Sequence, residues 1–305
     1  MLNFNLIAFT SLLLITQGFF ANGGFAAETP EAPATSEPKL VWQSDYRHAT
    51  QQAIEERKML VIYFEGPAGC SHCRKFETET LTDPEIEDQL AQFIALKLPS
   101  NAQITVDGKS VTLLRHPAFA EMLNRPGLAI LDMTDKGSSH FRRVVSVLPF
   151  TSSRFASSAY TSKRAVSTLL TLPVGTLTQR TMVFAVRMHR EAPASTQGKL
   201  DSALSAEADS HSKHQASIGV QGHHNWDSRF QRINGKLPSG LMAQEVVAES
   251  WPGENLVEAC EDCVHSWRQS PGHWGAVRSR HPVFGFDIKR GRNGIWYATG
   301  IFGRR

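Results

Sequence analysis

The sequence predicts an α/β protein on three observations. Residues 59–64 (MLVIYF) form a short all-apolar run of strand length, rich in β-formers. The turn Gly66-Pro67-Ala68-Gly69 follows it, and helix formers take over from Cys70. Near the other end two strand-like runs, 283–288 and 295–302, flank the turn Arg292-Asn293-Gly294, behind segments of helical periodicity. With 305 residues, 41% of them hydrophobic and 20% charged, the chain has material for one large domain or two ordinary ones, and disordered and collagen-like classes are excluded. A net charge of +3, from 32 basic against 29 acidic residues, is too balanced to argue for a nucleic-acid partner.

Taken in order, residues 6–20 (LIAFTSLLLITQGFF) have the length of a signal h-region and fall short of a membrane span. Gly24 and Ala26 suit the small-residue positions of a cleavage site, so 1–27 reads as a signal peptide. Export to the periplasm or the extracellular space is expected, with membrane attachment if the signal stays uncleaved and no span after processing. The Pro/Ala/acidic stretch 28–38 reads as a linker. Turn residues return at Leu172-Pro173-Val174-Gly175, which divides the remainder into domains at 39–172 and 176–305.

In the first domain a helix is expected within 42–56, then the strand at 59–64, then Cys70-Ser71-His72-Cys73 at a strand-to-helix junction. That position carries chemistry. Free N–H groups and the positive end of the helix dipole stabilise a thiolate at Cys70, the expected nucleophile. Cys73, nearly one turn on, is placed to resolve a mixed disulfide, and His72 between them can favour the reduced pair and make the disulfide more oxidising. Two other readings stay open: a static disulfide, and a zinc site using Cys70, His72 and Cys73.

With the continuation TETLTDPEI at 78–86 and a next strand at 93–98, this region resembles exported members of the thioredoxin superfamily. The resemblance implies a thioredoxin-like fold, protein thiol or disulfide substrates, and a cis-proline loop at Arg125-Pro126 that presents substrate backbone beside the cysteines. This chain departs from the pattern at Gly69, where an aromatic residue is usual, and at Tyr63 or Phe64, where a buried acid is usual; Glu65 is the acid nearest in sequence.

In the second domain seven of the twelve histidines lie between His211 and His281. A helix is expected over about 199–215 with Leu204, Ala208 and His211 on one face, which buries His211. Polar residues break 222–229, which reads as a loop, and 243–250 reads as a strand. Leu256, Cys260, Cys263, Val264 and Trp267 share one apolar helix face, so Cys260 and Cys263 read as core residues, reduced or weakly bridged, with a disulfide in an irregular helix and a second redox centre as the alternatives.

The segments ADSHSKHQA, GHHNWDSR, WRQSPGHW and GIWYATGIFG resemble the CAP superfamily, the SCP-like cysteine-rich secretory, antigen and pathogenesis-related proteins, in bacterial form. The resemblance implies an α-β-α sandwich and a cleft holding His223, His273 and a glutamate, either Glu245 or Glu254, with Glu245 preferred for its strand-like context. His223, His273 and Glu245 form a donor set suited to a divalent metal such as zinc, although no cofactor is demanded.

The whole reads as an exported protein in which a thioredoxin-like domain exchanges thiols and disulfides and a CAP-like domain binds an envelope ligand, a metal or a partner. The alternatives are a non-enzymatic binding protein with a structural Cys70–Cys73 bridge, and a metal-dependent hydrolase in the CAP-like cleft.

Overall fold

The short strand β1 (Trp42–Gln43) leads into α1 (Tyr46–Glu55), which starts where Asp45 accepts the backbone N–H of His48. A computed structural model of the chain describes residues 40–106, 108–151 and 161–305; the signal segment and the linker read from the sequence lie outside them. β2 (Leu60–Glu65) is buried along its apolar run. α2 (Ser71–Lys75) starts at Cys70 and continues as a π-helical turn, Phe76–Thr80. α3 (Pro84–Leu90) begins with Asp83 as N-cap and proline in its first turn, the arrangement that satisfies the free N–H groups of a helix start. β3 (Ile94–Pro99), the hairpin β4 (Gln103–Val106) and β5 (Lys109–Thr112), β6 (Gly127–Leu131) and β7 (Val144–Pro149) follow.

The main sheet of this part has the order β1-β3-β2-β6-β7, parallel from β1 through β2 and antiparallel across β6 and β7. Phe64 pairs with Gly127, which sets Pro126 level with Glu65, at the mouth of the loop that begins at Gly66. The Arg125–Pro126 peptide is trans, like every other peptide among the described residues, so the cis-proline loop implied by resemblance is not formed. Leu123 and Asn124 both adopt left-handed backbone, φ 55° each, and the Arg125 N–H closes onto the Met122 carbonyl at 2.9 Å. The reversal is thus complete before the proline is reached.

α4 (Lys163–Leu170) and α5 (Leu177–Met188) come next, the latter opened by a capping box of Thr176 and Gln179. After β8 (Lys199–Leu200) the chain forms α6 (Ser202–Ile218), α7 (Trp226–Asn234), β9 (Met242–Glu249), α8 (Leu256–Gln269), α9 (Pro271–Arg278), β10 (Val283–Arg290) and β11 (Trp296–Arg304). Their sheet runs β8-β10-β11-β9, antiparallel except where β8 meets β10. Alternation along β10 assigns its two faces. Gly285 lies so close under α6 that a Cβ would come within 2.4 Å of the Leu204 backbone. Phe286, pointing the other way, packs on Trp267 of α8 at 5.9 Å between ring centroids. The sheet therefore has helices on both faces, α6 on one and α8 on the other.

Part of the stretch expected as a loop at 222–229 is the start of α7, whose apolar contacts Trp226, Phe230 and Ile233 recur at i, i+4 and i+7. Asp227, Ser228 and Arg229 between them hid that period. Cys260 and Cys263 lie in α8 as buried free thiols, and burial pushes both pKa values up.

The described residues form one compact unit, and most buried apolar side chains of the two sheets run together in one core, while Ala243, Val283 and Ile301 of the second sheet form a smaller cluster with Leu204, Ala208 and Ile233. α5 is the shared element, packing on β7, on β10 and on α8. Within it Arg180, 1% exposed, donates from Nε to Ser146 Oγ at 2.7 Å and from its terminal nitrogens to the carbonyls of Leu169, Leu172 and Pro173. Glu121 reaches across from the first part to accept the Leu256 N–H at 3.1 Å, at the start of α8.

α6 and α7 are tied by Glu207, which accepts from Arg232 at 2.6 and 3.0 Å and from Lys236 at 3.0 Å. Hydrogen bonding from Arg232 is the main cause holding the Glu207 pKa down to about 2, against an ordinary 4.5. A depressed carboxylate stabilises the fold in full above pH 4.5 and loses that stabilisation as the pH falls toward 2. Urea unfolding between pH 5 and pH 2.5 is expected to show an acid limb that Glu207→Gln shortens by about 1 kcal/mol, a figure discounted for the half-exposed cations.

Candidate functional site

Cys70 occupies the N-cap of α2 and is bonded to Cys73 in a disulfide. Cys70 is half-buried and Cys73 buried, so one sulfur of the pair is offered to solvent and the other is covered. The Cys73 N–H donates to Cys70 Sγ at 3.2 Å, the contact that stabilises a thiolate when the pair is reduced. Gly66 packs directly on the bridge: a Cβ there would sit 2.2 Å from Cys73 Sγ. His72 is exposed on the first turn of the helix.

A group of charged side chains lies beside β2. Lys97 on β3 pairs with Glu65 at 3.0 Å and Glu77 at 3.7 Å, and Tyr63 donates its O–H to Glu77 at 3.0 Å. Burial, reinforced by the Glu77 charge, pushes the Tyr63 pKa up, so its hydroxyl remains a donor. Glu65 was named from sequence; Glu77 was missed, although it follows Cys73 by one turn and its spacing was the available signal.

The other cluster centres on Glu245 of β9, whose side chain is buried. His223 Nδ1 approaches one carboxylate oxygen at 2.9 Å. Arg229 Nη2 donates to the other, and His211 Nδ1 lies 3.5 Å from it. Burial works to raise the Glu245 pKa, but the His223 and Arg229 hydrogen bonds, with the His211 and Arg229 charges, hold it below the usual range. Burial depresses His211 to about 4, so at neutral pH it is an uncharged imidazole. Desolvation and the neighbouring His223 lower His273 as well.

Beyond Glu245, His223 Nε2 and His273 Nε2 face one another at 3.5 Å. Two imidazoles sharing one tetrahedral zinc, with Zn–N of about 2.0–2.1 Å, hold their nitrogens roughly 3.3 Å apart. The Nδ1 contact of His223 with a carboxylate orients its ring as a carboxylate partner orients a metal-ligating histidine. The two nitrogens stand near the spacing that one metal would impose, one donor short of the His223, His273 and Glu245 set expected from the sequence. Glu245, its oxygens occupied by His223, Arg229 and His211, supports His223 from behind. Among the described residues no three His, Cys, Asp or Glu side chains are arranged to hold a metal ion. Glu254 lies in the turn before α8, where its carbonyl accepts the Trp296 indole N–H at 2.9 Å. His224 makes ring contacts with His211 and His214, and its Nε2 lies 3.2 Å from the Val220 carbonyl.

Residues 41–110, which include the cysteine pair, match the thioredoxin-like family. No curated protein matches the chain. Among solved structures, the chain is similar to an outer surface protein from Borrelia burgdorferi, at 21% identity and a TM-score of 0.29, over 35% of this chain and 77% of that one. That likeness is too slight to bear on fold or function. None of the helices among the described residues is long and apolar enough to cross a membrane.

Proposed function

We propose that the thioredoxin-like region performs thiol–disulfide exchange through Cys70 and Cys73, in an exported protein whose second part is CAP-like and binds a ligand at the envelope. The observation that carries the redox reading is the bridge at the start of α2, with one sulfur accessible and the other covered. A substrate thiolate attacks Cys70 Sγ, the Cys70–Cys73 bond breaks, and Cys73 leaves as a thiolate. A second substrate thiolate then attacks its own sulfur in the mixed disulfide and releases Cys70. The substrate dithiol is oxidised to a disulfide and the cysteine pair is reduced to two thiols, which take up as many protons as the substrate loses. Run backward, the same steps reduce a substrate disulfide.

The CAP-like reading is supported by an antiparallel sheet with helices on both faces and by His223, Glu245 and His273 in one cluster. A metal held by His223 and His273 would supply Lewis acidity there, with Glu245 orienting His223. Export rests on the 6–20 apolar run.

Equilibration with glutathione buffers tests the redox role against the static bridge. A potential between about −120 and −270 mV, the range of known oxidoreductases, is the expected result, whereas one below about −300 mV marks a structural disulfide.

A further inference from the structure

The two faces of the first sheet are covered differently. Along β2, Tyr63 points to the side of the cysteine-bearing helix, where it packs on Phe76 at 5.2 Å between ring centroids, and Phe64 points to the other side, where it packs on Phe119 at 5.4 Å. On that second face α1 lies over β2 and β3, and the short 3₁₀ segment Pro117–Met122 lies over β6 and β7. Between the two, beside the base of the β4–β5 hairpin, is a cavity of about 620 Å³, within the range of about 300–1,000 Å³ usual for small-molecule sites. Its floor is apolar, built from Leu98 of β3, Leu131 of β6 and Val144 of β7. Half-buried Ile54 of α1 and Ile104 of β4 extend that apolar surface up the walls.

The rim is cationic. Arg47 and Arg142, both exposed, and half-buried His116 stand against one acid among the lining residues, Asp45, whose carboxylate already accepts the His48 N–H at the start of α1. The Ala118 N–H occupies His116 Nδ1 at 3.2 Å, which leaves the ring proton on Nε2, a donor. Burial pushes the Tyr46 pKa up, against the pull of Thr50 and the nearby Arg142 charge, so the hydroxyl of this lining residue also keeps its proton. The rim thus offers donors and positive charge, and the walls below it offer neither.

The two halves of the lining select the ligand together. A small inorganic anion would pair with the guanidinium groups and leave Ile54 and Ile104 wet, whereas a neutral hydrocarbon would cover those side chains and take water from two charges without replacing it. We propose that this cavity binds the anion of a free fatty acid, with the chain on the apolar floor and walls and the carboxylate at Arg47, Arg142 and His116. The site lies on the opposite face of the sheet from the disulfide and uses no residue of the His223–His273 cluster.

Calorimetric titration of the untagged full chain at pH 7 with octanoate, decanoate, 1-decanol and acetate tests this. One decanoate per chain is expected to bind saturably and acetate not at all, with 1-decanol at least about tenfold weaker than decanoate because it fills the apolar part without pairing the cations. Octanoate should also be at least about tenfold weaker, since each buried methylene is worth about fourfold in affinity. The double variant Arg47→Gln/Arg142→Gln, at exposed positions, should weaken decanoate by about tenfold or more and leave 1-decanol unchanged, with the wild-type circular dichroism retained. Ile104→Ser should weaken both, and Arg280→Gln, a surface charge elsewhere, should alter neither. Absence of saturable decanoate binding, equal affinity for decanoate and 1-decanol, or wild-type decanoate affinity in the double variant overturns the proposal. Saturable binding of tetraglutamate in place of decanoate also overturns it, by marking the cavity as a peptide groove. None of these outcomes touches the glutathione equilibrium, so the redox reading stands or falls separately.

Discussion

Cys70→Ser is expected to lower insulin reduction by the full-length protein to the uncatalysed rate. The serine hydroxyl cannot form the mixed disulfide on which both halves of the exchange depend, and Cys73, buried under Gly66 and the helix start, is not accessible enough to replace it. Cys73→Ser should behave differently. It keeps the accessible sulfur at the N-cap, so the Cys70 thiolate still attacks a disulfide of insulin and expels one of its sulfurs as a thiolate, but no resolving thiol follows, and a mixed disulfide with insulin should accumulate. Non-reducing electrophoresis distinguishes the two variants: an adduct that disappears with dithiothreitol is expected from Cys73→Ser and none from Cys70→Ser. Wild-type turnover in Cys70→Ser would remove the exchange chemistry from this pair altogether.

Arg180→Ala is expected to cause the largest stability loss of any single substitution considered. Removing the guanidinium strands the carbonyls of Leu169, Leu172 and Pro173 and the Ser146 hydroxyl, in a region where water has little access. Each buried acceptor left unpaired costs about 1–3 kcal/mol, and relaxation recovers part, so a net loss of roughly 3–5 kcal/mol follows. Burial brings the Arg180 pKa down to about 10, which still leaves the side chain charged at pH 7. Arg180→Lys retains the charge but not the planar fork, and should recover only a fraction of the stability. Denaturant midpoints of the three proteins check this; a loss under 1 kcal/mol in Arg180→Ala would show that water replaces the guanidinium.

How far these features are legible in the sequence depends on how local their causes are. β2 and the junction at Cys70 are written in consecutive residues: an apolar run, two glycines and a proline, then helix formers. The trans peptide at Pro126 was not legible, because two non-glycine residues, Leu123 and Asn124, turn the chain through left-handed backbone that their types do not announce. Glu245 and His223 are 22 residues apart and join only once β9 and the loop before α7 are in place, so resemblance pointed to them where spacing did not. Arg180 defeats composition reasoning most completely. An arginine in a helix reads as a surface residue, and only the apolar Met182, Val183 and Phe184 beside it hint that this part of the helix is enclosed.

α5 serves both sheets at once, and this sets the separation between the cysteine pair and the histidine pair. The cysteine pair and the histidine pair cannot approach or part without unpacking a core that the two share. A macromolecule that engages both must present its own groups at a matching interval, as a gauge with fixed jaws accepts one width and refuses its neighbours.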